Sequence, residues 1–261
     1  MSDISLVTTP AVRSASYHWA LTGIFAAMHL IISFIPFTVP VGAEGQITFG
    51  LVSAPTIGFL LGPFFGTIAV LIGSTIAILV DPLVGVLGFF TPLATAAGAL
   101  AAGSIRKGKP EIVLIIYVPA MYLFILGPVG SQAFAYLWFN IVTLVMLLLF
   151  MTPRVSSHLM EGLGFKLSRP AVDAFAVWLL SLCSVMADQI VGTTIASYYF
   201  PALGILDADS LAWVLNNLLI FVYPLERLVG SFIVAFLVFA LGKTLAKSYF
   251  NFPVLPGLSD E

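Results

Sequence analysis

AVDAFAVWLLSLCSVMADQIVGTTIASY, residues 171–198, carries no charge between Asp173 and Asp188 and no proline anywhere. At about 1.5 Å per residue this block is longer than the ~30 Å hydrocarbon core of a bilayer. In such a solvent every backbone polar group must bond internally, so a block this long reads as a helix. Similar blocks lie on both sides of it, at 17–36, 49–61, 64–80, 83–103, 111–127, 132–151 and 228–247, with a shorter apolar piece at 211–223. Proline and glycine punctuate the joins, at Pro36, Pro40, Gly62-Pro63, Asp81-Pro82, Gly127-Pro128, Pro153, Pro170, Pro201 and Pro224.

Composition points the same way. Apolar residues make up 60% of the chain and charged residues 8%, against about 25% charged in an ordinary soluble domain. A soluble chain of 261 residues lacks the polar exterior to hide that surface. Membrane barrel strands would alternate apolar and polar residues over ~10 positions, and the blocks do not. The chain therefore reads as an all-α polytopic membrane protein, a bundle of about six to eight transmembrane helices. It forms one integral membrane domain over 1–261, with a polar N-terminus at 1–15 and a tail at 248–261. The first block is too long for a cleaved leader and reads as a retained span. A net charge of -2 gives no reason to expect a nucleic-acid partner. The single Cys183 excludes an internal disulfide and supplies no metal-ligand spacing.

Orientation follows from the 10 basic residues. When the sides are numbered by alternation, Arg13, Arg106, Lys107, Lys109, Arg154, Lys166, Arg169, Lys243 and Lys247 share one side. Arg227 alone falls on the other, with Glu44, Asp81, Asp207, Asp209 and Glu226. Cytoplasmic loops carry the excess of Lys and Arg, so both termini are expected in the cytoplasm of a plasma-membrane protein. The 211–223 piece is expected to be interfacial or re-entrant, since a full span there would move Lys243 and Lys247 outside. The 49–61 block reads as a span or as a half-span that returns with 64–80.

Catalytic motifs are missing. Gly242-Lys243-Thr244 resembles the end of a P-loop, but position 237, where that loop needs its first glycine, is Leu237. His18, His29 and His158 form no H-E-x-x-H, and no G-x-S-x-G elbow occurs. No enzymatic activity, cofactor or metal is expected. Polar residues gather instead toward the outer face. Asp188 and Gln189 lie well along 171–198, where a carboxylate needs a partner, a cavity or water at the interface. Asn216, Asn217, Tyr223, Glu226 and Arg227 fall on the same side. Arg227 suits a carboxylate or phosphate on a solute through its planar fork of donors, or it closes a salt bridge with Asp188 or Asp207. Together Asp188 and Arg227 fit a polar or zwitterionic solute. Asn140 and His29 sit within spans, where such residues bridge helices or contact a ligand. The 37–48 loop, with Glu44 and Gln46 between Gly42 and Gly50, suits a flap over an outer pocket. Trp138, Trp178 and Trp213 read as platforms for a planar ring or as interface anchors. Ser16, Ala20, Gly23 and Ala27 share one helix face, and Ala94, Gly98 and Ala102 another; such stripes serve internal packing or the docking of a partner helix.

The chain resembles the substrate-binding (S) components of energy-coupling-factor (ECF) transporters, modular vitamin importers, in their archaeal-type form. The resembling parts are the small-residue first span, Ile57-Gly58-Phe59-Leu60-Leu61-Gly62-Pro63-Phe64-Phe65-Gly66, Asp81-Pro82, Ala187-Asp188-Gln189-Ile190-Val191-Gly192 and Tyr223-Pro224-Leu225-Glu226-Arg227. The resemblance implies a vitamin-like small molecule captured at the outer face and delivered when the subunit topples in the bilayer. A transmembrane coupling protein and two cytoplasmic ATPases would supply the power. The family's Ala-x-x-x-Ala docking face maps onto Ser16-x-x-x-Ala20 and Gly23-x-x-x-Ala27, neither an exact match. The family usually has six spans, fewer than the blocks counted here. The alternative is an autonomous secondary transporter of a small polar solute, which would bring inverted repeats and midplane charges.

Overall fold

The structure, a computed structural model, describes residues 15–38, 47–152, 155 and 170–246. The polar N-terminal stretch, the tail at 248–261 and Glu44 lie outside the described residues, apart from the start of the first helix. The helices are α1 (Ala15–Ile32), α2 (Gly50–Leu61), α3 (Pro63–Val80), α4 (Thr91–Arg106), α5 (Pro110–Leu126), α6 (Trp138–Phe150), α7 (Pro170–Ala202), α8 (Ala208–Val214) and α9 (Ile220–Ala246). A π-helical turn at Leu215–Leu219 joins the last two without a break. Four continuous segments, Pro63–Val80, Gly88–Arg106, Ala174–Ala202 and Ala208–Leu241, are long and apolar enough to cross a membrane. The remaining apolar helices are shorter. The outer surface is lipid-like: Ile31, Leu79, Ile115, Phe221 and Phe236 are all exposed. This inversion of the soluble pattern is what a hydrocarbon solvent permits.

Two expectations change. Residues 211–223 are not a separate interfacial piece but the first part of one helical segment that continues through Pro224 to Leu241. Pro224 removes one ladder hydrogen bond, and the π turn just before it already loosens the ladder there. Residues 83–87 lie outside the membrane-length segment, which starts at Gly88. Pro82–Val84 and Gly88–Phe90 are short 3-10 turns, and α4 starts only at Thr91. The architecture is otherwise all-α as expected, and a short two-stranded antiparallel ribbon, β1 (Pro36–Thr38) and β2 (Ile47–Thr48), ties the two ends of the 37–48 loop together.

Helix α4 stands at the centre, packed against α2, α3, α5 and α7. Its sequence explains the position. Ala96, Ala97, Gly98, Ala99, Ala101, Ala102 and Gly103 are all buried and small, so neighbouring backbones approach closely. A Cβ on Gly58 of α2 would lie 2.1 Å from the Ala99 carbonyl oxygen. The turn from α2 to α3 is a single residue, Gly62 with φ +83°, a left-handed conformation that glycine adopts at no steric cost. Pro63 then opens α3 at a position where its missing N–H is no loss. Arg106, counted in the sequence only as a cytoplasmic marker, has a further role. Its buried guanidinium donates from Nη1 to the carbonyl oxygens of Phe59 and Leu60, each at 2.6 Å, in the last turn of α2. Those carbonyls have no partner within the helix.

The bundle thus has a basic end, marked by Arg106, Lys107 and Lys109, and an acidic end, marked by Asp81, Asp207 and Asp209.

Candidate functional site

At the acidic end the helices part around a cavity. Its space is about 140 Å³, and it is partly open to the exterior. One wall is α7, through Asp188, Gln189, Gly192, Thr193, Ala196 and Phe200. Asp188, Gly192 and Ala196 are spaced four apart, so the residues above the carboxylate on its face are small and leave room. Thr91, Ala94 and Thr95 of α4 stand opposite, and Val84, Val86 and Leu87 of the 3-10 segment close one side. The ribbon contributes Ile47 and Thr48, with Leu51 beyond it. Leu211, Val214, Leu215, Leu219, Tyr223 and Arg227 complete the ring.

The π turn explains that last set. In a regular α-helix residues four apart drift by about 40° per step, so Leu211 and Arg227 would face nearly opposite ways. A turn with one extra residue offsets part of that drift. Leu211, Leu215, Leu219, Tyr223 and Arg227 therefore all reach the same cavity.

Asp188 lies 18 residues, about 27 Å, from Pro170 and 14 residues, about 21 Å, from Ala202 on the 33-residue α7. It is more central than an interface carboxylate. It is also 8% exposed, and no protein group among the described residues donates a hydrogen bond to it. Arg227 is 6% exposed. Its Nε donates to Gln189 Oε1 at 2.5 Å, and its guanidinium carbon stands 5.7 Å from the Tyr223 ring centre. Gln189 is held in turn: Nε2 donates to Tyr136 Oη and, at 3.1 Å, to Thr193 Oγ1. Tyr136 and Thr193 are themselves 3.3 Å apart. The alternative of a salt bridge to Asp188 or Asp207 is not seen among the described residues. No nitrogen of Arg227 lies within 4.0 Å of an Asp188 oxygen, and Asp207 instead bonds Ser210.

Other residues singled out in the sequence go elsewhere. Asn140 takes a hydrogen bond from Tyr117 on Oδ1 at 3.0 Å and borders a small separate void behind Arg227. Asn216 donates to the Gln132 carbonyl at 2.7 Å and exposed Asn217 to the Trp213 carbonyl at 2.8 Å. Half-buried Glu226 does not line the cavity. None of the three tryptophans lines it: Trp138 donates to the Ile220 carbonyl, Trp178 to Ser231 Oγ, and Trp213 is exposed. His29 bridges three helices, with Ser53 Oγ 2.6 Å from Nδ1 and Ser74 Oγ 2.7 Å from Nε2. The two small-residue stripes part company. Ala94, Gly98 and Ala102 are buried, and a Cβ on Gly98 would lie 3.1 Å from Asp188 Cβ. Ser16, Ala20, Gly23 and Ala27 are exposed, and nothing lies within 4 Å of a Cβ built on Gly23. The sequence reading missed Tyr136, Thr193, Thr91 and Thr95; only the i, i+4 spacing of the last two on α4 hinted at a shared face.

Asp207 caps α8, the helix that carries part of the cavity wall. Its carboxylate accepts from Ser210 N and Ser210 Oγ, each at 2.8 Å, and these bonds hold its pKa below the usual carboxylate value. A depressed folded-state pKa means stabilisation that is complete above the unfolded value of about 3.9 and lost as pH falls through the folded one. Amide exchange at the start of α8, corrected for intrinsic rates, should therefore rise as the medium is acidified through and below that region. Asp207→Asn should flatten the response; an unaltered response in that variant contradicts the assignment.

No protein-family model, curated protein or solved structure matches the chain.

Proposed function

We propose that the chain is the membrane-embedded solute-binding subunit of an ATP-driven importer of the ECF type, which captures a vitamin-like small molecule at the outer face of the plasma membrane. The observation that carries the reading is the cavity floor, where a buried carboxylate and a buried guanidinium face one space without bonding each other. Both groups line a cavity partly open to the exterior, so their unused bonding sites are within reach of a solute. The bias of basic residues toward the other end supports cytoplasmic termini and a cavity that opens outward. The exposed α1 face of Ser16, Ala20, Gly23 and Ala27 suits close approach by a helix of a coupling protein, with cytoplasmic ATPases beyond it. On this reading the chain binds and presents its solute and catalyses nothing.

Two measurements test it. Small molecules that co-purify with the protein, identified by mass spectrometry, should bind the pure subunit yet not cross liposomes that contain it alone. Movement down a gradient without partners would replace this reading with the autonomous transporter. Gly23→Leu should leave binding intact and abolish uptake by the complete transporter; full uptake would remove α1 as the docking face.

A further inference from the structure

We infer that the solute is net-neutral and dipolar, a zwitterion with a protonated amine at Asp188, a carboxylate at Arg227 and an apolar body between. This rests on the solute-binding reading above. Each charge at the cavity floor has unused bonding capacity. Among the described residues Asp188 accepts no hydrogen bond, and Arg227 spends only Nε, on Gln189, leaving the N–H groups of its two terminal nitrogens without a partner there. A guanidinium carries five N–H donors and a carboxylate about four acceptor sites. Because the two groups stand beyond 4.0 Å, neither completes the other's shell.

Charge balance then selects among ligand classes. A simple cation would satisfy Asp188 and leave Arg227 facing it. A simple anion would do the reverse, with a like charge from Asp188 alongside. A phosphate ester carries about -1.5 to -2 and would meet one guanidinium and one repelling carboxylate. Only a molecule that bears both signs satisfies both groups at once. Its body meets apolar walls in Leu87, Phe200, Leu211, Val214, Leu215 and Leu219. Gln189 acts as a positioning residue, since Tyr136 and Thr193 fix its amide and its oxygen aims the Arg227 fork.

Matched compounds provide the test. Detergent-purified full-length protein is incubated at neutral pH with tryptophan, tryptamine, indole-3-propionate, phenylalanine, phenethylamine and 3-phenylpropionate at millimolar concentration. A parallel sample receives a cell extract rich in small metabolites. Free compounds are removed by gel filtration and retained ones identified by mass spectrometry. Retained molecules should carry both charges, with zwitterions favoured about tenfold or more over the amine or acid that shares their ring. Asp188→Asn should shift retention toward acids and Arg227→Gln toward amines. Retention of amines, acids or phosphate esters in preference to zwitterions by the natural chain overturns the charge assignment and leaves the solute-binding reading standing. Retention of nothing from either mixture overturns both.

Discussion

The double variant Asp188→Leu, Arg227→Met should retain no solute and yet unfold, when empty, at a temperature no lower than the natural chain. Both side chains are more than nine-tenths buried, and neither has its bonding capacity met by the described residues. Replacement of buried opposite charges by apolar residues of similar volume is often neutral or stabilising by about 1–4 kcal/mol. The single variant Arg227→Met should behave oppositely, since it leaves the Asp188 carboxylate with no cation nearby; a loss of up to about 3 kcal/mol is expected. Thermal unfolding in detergent, together with solute retention, separates the cases. If the double variant fell as far as the single one, the charges would be structural, and the proposed site would lose its basis.

A large effect on stability should come from Gly58. A methyl group there would meet the Ala99 carbonyl oxygen at 2.1 Å, its carbon at 2.8 Å and its Cα at 2.9 Å. These are backbone atoms of the central helix, which cannot turn aside as a side chain would. Gly58→Ala must push α2 off α4, at a cost of about 3 kcal/mol or more. The site should loosen too, because Leu51 near the start of α2 and Thr91 and Thr95 of α4 line the cavity. Gly23→Ala is the contrast. Nothing lies within 4 Å of a Cβ built there, so alanine gains about 0.5–1 kcal/mol from a less free unfolded chain. Thermal midpoints should therefore move in opposite directions. A common direction would mean that the α2–α4 contact is looser than described.

How much of this was legible in the sequence depended on how local the signal was. A long uncharged block is a local fact, and helices of membrane-crossing length stand at 64–80 and 171–198. Asp188 and Arg227 drew notice because a charge in an apolar run is costly wherever its partner lies. What escaped depends on the third dimension. Nothing in Leu215-Asn216-Asn217-Leu218-Leu219 announces a π turn, yet that turn brings Tyr223 and Arg227 round to the cavity and leaves Asn217 exposed and both asparagines off the cavity wall. The prolines misled in the same way: Pro224 suggested a break between 211–223 and 228–247, and the helix runs through it. Arg106 gave its charge to the orientation argument but concealed its bonds to the end of α2, since those carbonyls lie 46 and 47 residues away in the chain. Composition also could not separate the two small-residue stripes; one is buried against α7 and the other faces outward.

An experimental density map of the protein, purified from membranes and incubated with metabolite extract, tests the central claim most directly. The account predicts non-protein density in the cavity at the acidic end, bridging the Asp188 carboxylate and the Arg227 terminal nitrogens. A cavity filled only with water, or a direct Asp188–Arg227 ion pair that closes it, would contradict the account.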